Sequence, residues 1–279
     1  MSPDPIEYPL CFNLHAYTRG DPVNYFDPDG RCDSPVYETI KSSNLLSLVI
    51  RPFWNNLASI STKLGLTSSF AYEVGSFDPD KGAIGFINGI QNTPEDAFKT
   101  AHMFSQYAGG AKIHGVYNAT HHGGSMIPGL FDAVTHAICA TTRIHTPPVQ
   151  LLKNQWDFFI KTRGPDEKFL QICHSGGAIQ VLIALLDSPK EVRDRIIVLA
   201  ISPGAIVPKK LCFYSENYAS EADFVPRIDY YRQKLGGHAN ELIFLKRHPD
   251  ANVFDHGIQS PTFQPSIRNT INKHMSGGK

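Results

Sequence analysis

The chain carries no excess of charge of either sign. Its 279 residues hold 26 Lys and Arg against 26 Asp and Glu. That balance excludes the basic footprint of a nucleic-acid binder and the polybasic patch of a protein held on an anionic membrane. Long apolar runs are missing too. Stretches such as Ile196–Ile201 fall far short of the about 18 residues that a membrane-spanning helix needs. Cysteine is sparse: Cys11, Cys32, Cys139, Cys173 and Cys212 are odd in number, widely scattered and without a C-x-x-C pair. This excludes a disulfide framework and a cysteine zinc site. The first ten residues, MSPDPIEYPL, lack the basic region and apolar run of a secretory signal. The expected location is therefore cytoplasmic, or exported as an effector through a route that needs no such signal. No cofactor is expected. The length suits one large α/β domain with a short appendage, or at most two small domains.

What is present centres on Phe169–Leu186, FLQICHSGGAIQVLIALL. Its first half reads as a buried strand and its second as an apolar helix, with only His174-Ser175-Gly176 between them. A strand that turns into a helix within two residues makes a sharp turn, and only small residues can flank it. The pattern Cys173-His174-Ser175-Gly176-Gly177 is small-x-Ser-x-small. It resembles the nucleophile elbow of α/β-hydrolases, usually spelled G-x-S-x-G, with Cys173 in place of the first Gly. Such a turn lifts the Ser175 hydroxyl above the sheet and sets the Gly176 amide at a helix N-terminus, facing a developing oxyanion. The plainer alternative is a Ser175 that only caps the helix.

Residues 1–35 are rich in turn formers. Asp21-Pro22 and Asp27-Pro28-Asp29-Gly30 flank a short strand, Val23 to Phe26. Tyr17, Asp21-Pro22-Val23-Asn24-Tyr25 and Asp27-Pro28-Asp29-Gly30 resemble the motif that closes Rhs and YD-repeat cores, after which a variable passenger domain follows. Arg31 stands where those cores carry an apolar residue, and no cage precedes the motif, so self-cleavage is not expected. The resemblance implies a former passenger domain, 36–279, with a stub of its carrier. A host or competitor protein would then be a conceivable target. Within 36–66, Ile40, Leu45, Leu48, Val49, Phe53, Leu57, Ile60 and Leu64 fall at helical spacing and suggest two short helices, a lid or a packing layer.

Further on, Phe70–Val74 and Ala83–Ile87 read as a hairpin about the Asp78–Gly82 turn. Asn88-Gly89-Ile90 follows, and then a helix from Pro94 to Tyr107, with Thr93 as N-cap and Pro94 at its first position. A strand, a Gly-bearing loop and a helix in this order is where α/β-hydrolases keep their second oxyanion donor, here Gly89 or Ile90. Ile113–Tyr117 is the next strand. It leads into a polar loop with His121 and His122, which point apart and lack a carboxylate at ligand spacing, so no metal is expected. Asn88, His121, His122 and His174 are candidate substrate contacts. Helices are expected near 130–140 and 148–161. Strands are expected at 195–201, 211–214 and 241–246, with a last helix from Ser260 to about Lys273. Strands alternating with helices imply a mostly parallel sheet with helices on both faces.

Functional residues of such sheets gather at the carboxyl ends of strands. Ser175, Asp223 and His256 stand there in the order nucleophile, acid, base, which is the α/β-hydrolase order. Glu216 rivals Asp223, and Asp229, Asp250 and Asp255 lie nearby. His248 rivals His256. The strings FINGIQNTPEDA, VYNATHH, TPPVQLL, ICHSGGA, FVPRIDY and FDHGIQSPTF resemble an uncharacterised chlamydial family, a domain of unknown function, over most of the chain from about Gly82. That family often has Gln where Gly176 stands. The resemblance implies a hydrolase-like fold and no particular activity. Together these features lead to the expectation of a serine hydrolase acting on a small-molecule or lipid ester. A silent effector or interaction protein on the same fold is the alternative.

Overall fold

A computed structural model describes residues 68–119, 146–227 and 239–277, together with two short strands near the N-terminus. The chain divides into two compact units, Met1–Ala58 and Ser59–Lys279. In the first, β1 (Tyr25–Phe26) pairs antiparallel with β2 (Ser34–Pro35). The helices expected within 36–66 and near 130–140 lie outside the described residues.

The second unit is built on one seven-stranded sheet. Its strands are β3 (Phe70–Val74), β4 (Ala83–Ile87), β5 (Ile113–Tyr117), β6 (Phe169–His174), β7 (Ile196–Ile201), β8 (Tyr214–Ser220) and β9 (Leu242–Leu245). They lie in the order β3-β5-β4-β6-β7-β8-β9, all parallel except β3, which runs antiparallel to β5. This is an α/β-hydrolase-like architecture. Every side chain of β4 and β6 is buried, as continuous apolar strands at the centre of a parallel sheet should be.

Helices cover both faces. On one, α1 (Pro94–Tyr107) packs beside α5 (Gln264–Met275), and the rings of Phe86 and Phe104 meet edge to face at 5.2 Å. On the other, α2 (Pro147–Thr162) packs on α3 (Gly176–Leu186). Val149, Leu152, Trp156 and Phe159 of α2 share a core with Ile179, Leu182, Ile183 and Leu185 of α3 and with Ile87, Phe169 and Val198 of the sheet. A short helix, α4 (Lys190–Arg193), precedes β7. The start of α1 is held by a reciprocal cap, in which the Thr93 hydroxyl accepts from the Asp96 amide and the Asp96 carboxylate accepts from the Thr93 amide.

Three expectations need correction. Strands β3 and β4 are not a hairpin, because β5 lies between them. Apolar β4 gains a parallel neighbour on each side this way, and the eight residues from Gly75 to Gly82 are long enough to cross one strand position. The strand expected at 211–214 begins only at Tyr214 and runs to Ser220. Its polar residues are buried because they bond to backbone: Ser215 donates to the Val207 carbonyl, and Asn217 donates to the carbonyls of Val207 and Glu241 and accepts from the Val207 amide. The last helix starts at Gln264, because the hydroxyls of Ser260 and Thr262 are engaged by Asp255 instead.

Candidate active site

The sharp turn at the end of β6 is present. Ser175 sits at φ 49°, ψ −122°, a conformation that costs a non-glycine residue about 1–3 kcal/mol. The turn is over-determined: the Ser175 amide donates to the Ile201 carbonyl, and the Ser175 carbonyl accepts from the amides of Gly204 and Ala178. A Cβ at Gly177 would stand 2.7 Å from the Asn88 carbonyl oxygen and 2.9 Å from that of Ile87, so the outgoing helix touches the neighbouring strand end. Cys173 is fully enclosed between β4 and β7, where a thiol is tolerated as a small apolar group. Burial, then Cys212, holds its thiol well above the ordinary value, which leaves it inert.

The Ser175 hydroxyl does not cap α3. It lies 2.9 Å from Nε2 of His256. On the other side of that ring, Nδ1 lies 2.8 Å from Oδ2 of Asp223. The buried carboxylate is an acceptor, so Nδ1 carries the proton, and Nε2 is left as the acceptor that faces the hydroxyl. The second carboxylate oxygen of Asp223 accepts from the Val225 amide at 3.0 Å, which fixes the acid in the turn beyond β8.

The rivals stand elsewhere. Glu216 lies within β8 and accepts from the hydroxyls of Tyr214 and Thr270. His248 is largely exposed, and its Nδ1 accepts from the Asp250 amide. Asp255 adjoins His256 but is turned away from it. Its buried carboxylate accepts from Ser260 and, at 2.6 Å, from Thr262. Burial raises its pKa, but hydroxyls of Ser220, Ser260 and Thr262 and the charge of Arg247 outweigh that and hold it below the ordinary value. Asp255 also has a positive φ of 38°, so the loop that carries His256 is bent and pinned immediately before the imidazole. Asp229, His121 and His122 lie outside the described residues.

Two of the positions expected to supply oxyanion donors adjoin Ser175. Gly176 is the first residue of α3, where an amide has no acceptor within the helix and the helix end is partly positive. Gly89 belongs to the loop after β4, and a Cβ there would lie 2.7 Å from the Ser175 Cβ, so the loop backbone runs directly against Ser175. Asn88, proposed from the sequence as a substrate contact, is consumed in shaping this loop. Its Nδ2 donates to the carbonyls of Gly89 and Asn118, and its Oδ1 accepts from the Asn118 amide at 2.8 Å. Nothing in the sequence marks it out from other loop asparagines. His174, also named as a substrate contact, is buried, and its Nε2 donates to the His256 carbonyl at 2.8 Å.

Exposed apolar side chains neighbour Asp223 and His256 in sequence. Phe224 is 58% exposed, Phe254 67% and Val253 75%, and the two rings lie edge to face at 6.4 Å. Among the described residues no group of three or more His, Cys, Asp or Glu is placed to hold a metal ion, and no helix is long and apolar enough to cross a membrane.

No family model matches the chain, and no curated protein matches it. Several solved structures are similar in fold. One is esterase PE8, at 15% identity over 74% of this chain and 99% of that one, with a TM-score of 0.49. Another is the Pyrobaculum calidifontis esterase, at 9% identity over 88% and 98% of the two chains and a TM-score of 0.44. Est1E from Butyrivibrio proteoclasticus has 12% identity over 76% and 96%, and a TM-score of 0.44. Esterase activity is a property of those proteins; the reading of this chain rests on its own geometry.

Proposed function

We propose that this protein is a serine hydrolase that cleaves esters through an acyl-enzyme on Ser175. The observation that carries the reading is the unbroken hydrogen-bond line from Ser175 Oγ through the His256 ring to Asp223, on a strained strand-to-helix turn. In this mechanism His256 Nε2 takes the hydroxyl proton as Oγ attacks the ester carbonyl carbon. The Asp223 carboxylate keeps the ring in the required tautomer and stabilises the imidazolium. The amides of Gly176 and of Gly89 or Ile90 donate to the tetrahedral oxyanion. His256 then protonates the departing alcohol. Water enters, gives its proton to Nε2 and attacks the acyl carbon. The carboxylic acid leaves as Oγ regains the proton.

The exposed Phe224, Val253 and Phe254, neighbours of Asp223 and His256 in sequence, favour a substrate with an apolar acyl or alkyl part, and lipid esters belong to that class. A serine peptidase would use the same groups, and amide against ester turnover separates the two.

The test is labelling of the full chain with a fluorophosphonate, wild type beside Ser175→Ala. Wild-type labelling that the substitution abolishes supports an activated serine and justifies a screen of p-nitrophenyl esters of increasing chain length. Absence of labelling in folded wild type would sink the catalytic reading and favour an interaction protein that keeps the fold without turnover.

A further inference from the structure

His174 stands next to Ser175 in the chain, yet its ring faces the loop that carries His256. The ring is 6% exposed and lies 5.1 Å from the His256 ring, inclined at 44°. Its Nε2–H donates to the His256 backbone carbonyl at 2.8 Å. Its Nδ1 is buried with no hydrogen-bond partner among the described residues, against the backbone of Gly89. A phenyl ring would fill the same space without leaving a buried acceptor unpaired. What distinguishes histidine there is the one N–H it supplies to His256.

That bond closes a ring of contacts. Ser175 Oγ meets His256 Nε2, the His256 carbonyl meets His174 Nε2–H, and the His174–Ser175 peptide joins the two ends. Two hydrogen bonds and one peptide link thus fix the elbow and the base loop to each other. Neither the strain of Ser175 nor the Asp223 contact sets that spacing, because both act on one partner only. The state of the ring suits the task. Burial, then the proximity of His256, pushes the His174 pKa down to about 3, against the opposing effect of its bond to the His256 carbonyl. It therefore stays neutral and adds no positive charge beside His256.

We propose that His174 is a positioning residue, whose Nε2–H holds the backbone of His256 so that the imidazole meets Ser175 Oγ. This rests on the reading of His256 as the general base. It replaces the substrate-contact role expected of His174.

The experiment compares full-length wild type, His174→Phe and His174→Gln. Two quantities are read: kcat and KM on p-nitrophenyl butyrate, and the low-field proton resonance of the His256 Nδ1–H to Asp223 bond. His174→Phe keeps the volume and removes the donor. It should lose about ten- to a hundredfold in kcat with KM little changed, and its low-field resonance should shift or broaden. His174→Gln presents an N–H at similar reach and should recover much of both. Wild-type kcat and an unmoved resonance in the Phe variant would overturn the proposal, as would a Gln variant as impaired as Phe. If wild type neither turns over the ester nor labels with fluorophosphonate, the catalytic reading has failed on its own. The resonance then decides: unchanged by Phe, it overturns the positioning role, and altered by Phe but restored by Gln, it supports it.

Discussion

A Cβ placed on Gly89 would come within 2.7 Å of the Ser175 Cβ, although the two residues follow different strands, β4 and β6. The loop after β4 and the turn at Ser175 are therefore in contact, with no room for a side chain between them. Gly89→Ala must push the loop backbone outward. If the loop supplies an oxyanion donor, kcat on small esters should fall by about 10²–10³-fold in the folded variant, and the thermal midpoint should drop as well because the added Cβ overpacks the site. Steady-state kinetics with a parallel melting curve checks this; an active Gly89→Ala would exclude that loop as the donor.

Strain at Ser175 predicts an unusual stability order. Glycine adopts positive φ freely, whereas alanine keeps the penalty. Ser175→Gly should be more stable than Ser175→Ala by about 1 kcal/mol, and both should be inactive. Urea denaturation of the two variants measures the difference.

The acid and base assignments make separable predictions. Asp223→Asn should reduce kcat by about 10⁴-fold, because the amide can no longer hold the required tautomer of His256. Glu216→Gln should leave turnover as in wild type, since Glu216 is engaged by Tyr214 and Thr270 of β8 and α5, whereas His256 is engaged by Asp223. His256→Ala should abolish fluorophosphonate labelling, and His248→Ala should preserve it. The reverse pattern in either pair would reassign the residue.

Acid should destabilise the fold in two windows. His174 has a folded pKa near 3, below the ordinary value of 6.5, so the unfolded chain binds the extra proton first. Its neutral form stabilises the fold above pH 6.5, and that stabilisation is lost as pH falls from 6.5 towards 3. Asp255 is also depressed, from 3.8, so its contribution is present above that value and fades as pH drops below it. Melting curves of His174→Gln against wild type should therefore differ in slope across the first window, and Asp255→Asn should differ in the second. Parallel slopes would contradict the burial of His174 in the first window and the hydroxyl and Arg247 contacts of Asp255 in the second.

Much of the fold could be read along the chain. The apolar runs at Ala83–Ile87, Ile113–Tyr117, Phe169–His174 and Ile196–Ile201 could bury both faces only in a parallel sheet, and α1 begins and ends at the residues its cap and stop signals indicate. Ser175, Asp223 and His256, which hydrogen bonds join in the fold, could be grouped from the sequence because each follows a strand at the end where loops converge.

Tertiary structure decided what depends on neighbours far apart in sequence. The position of β5 between β3 and β4 is a competition between pairings that local pattern does not encode. The polar strand Tyr214–Ser220 forms because Val207 and Glu241 offer its side chains backbone partners, which no propensity predicts. Asn88, His174 and Asp255 look in sequence like free polar groups near a site. In the fold their hydrogen bonds are directed to Asn118, His256, Ser260 and Thr262, all from other turns of the chain or further along the same loop. Sequence determines which groups are available, through their chemistry and spacing. Only the closed fold settles which face one another within 3 Å, because hydrogen bonds are directional and a pair such as His174 and His256 is separated by 82 residues.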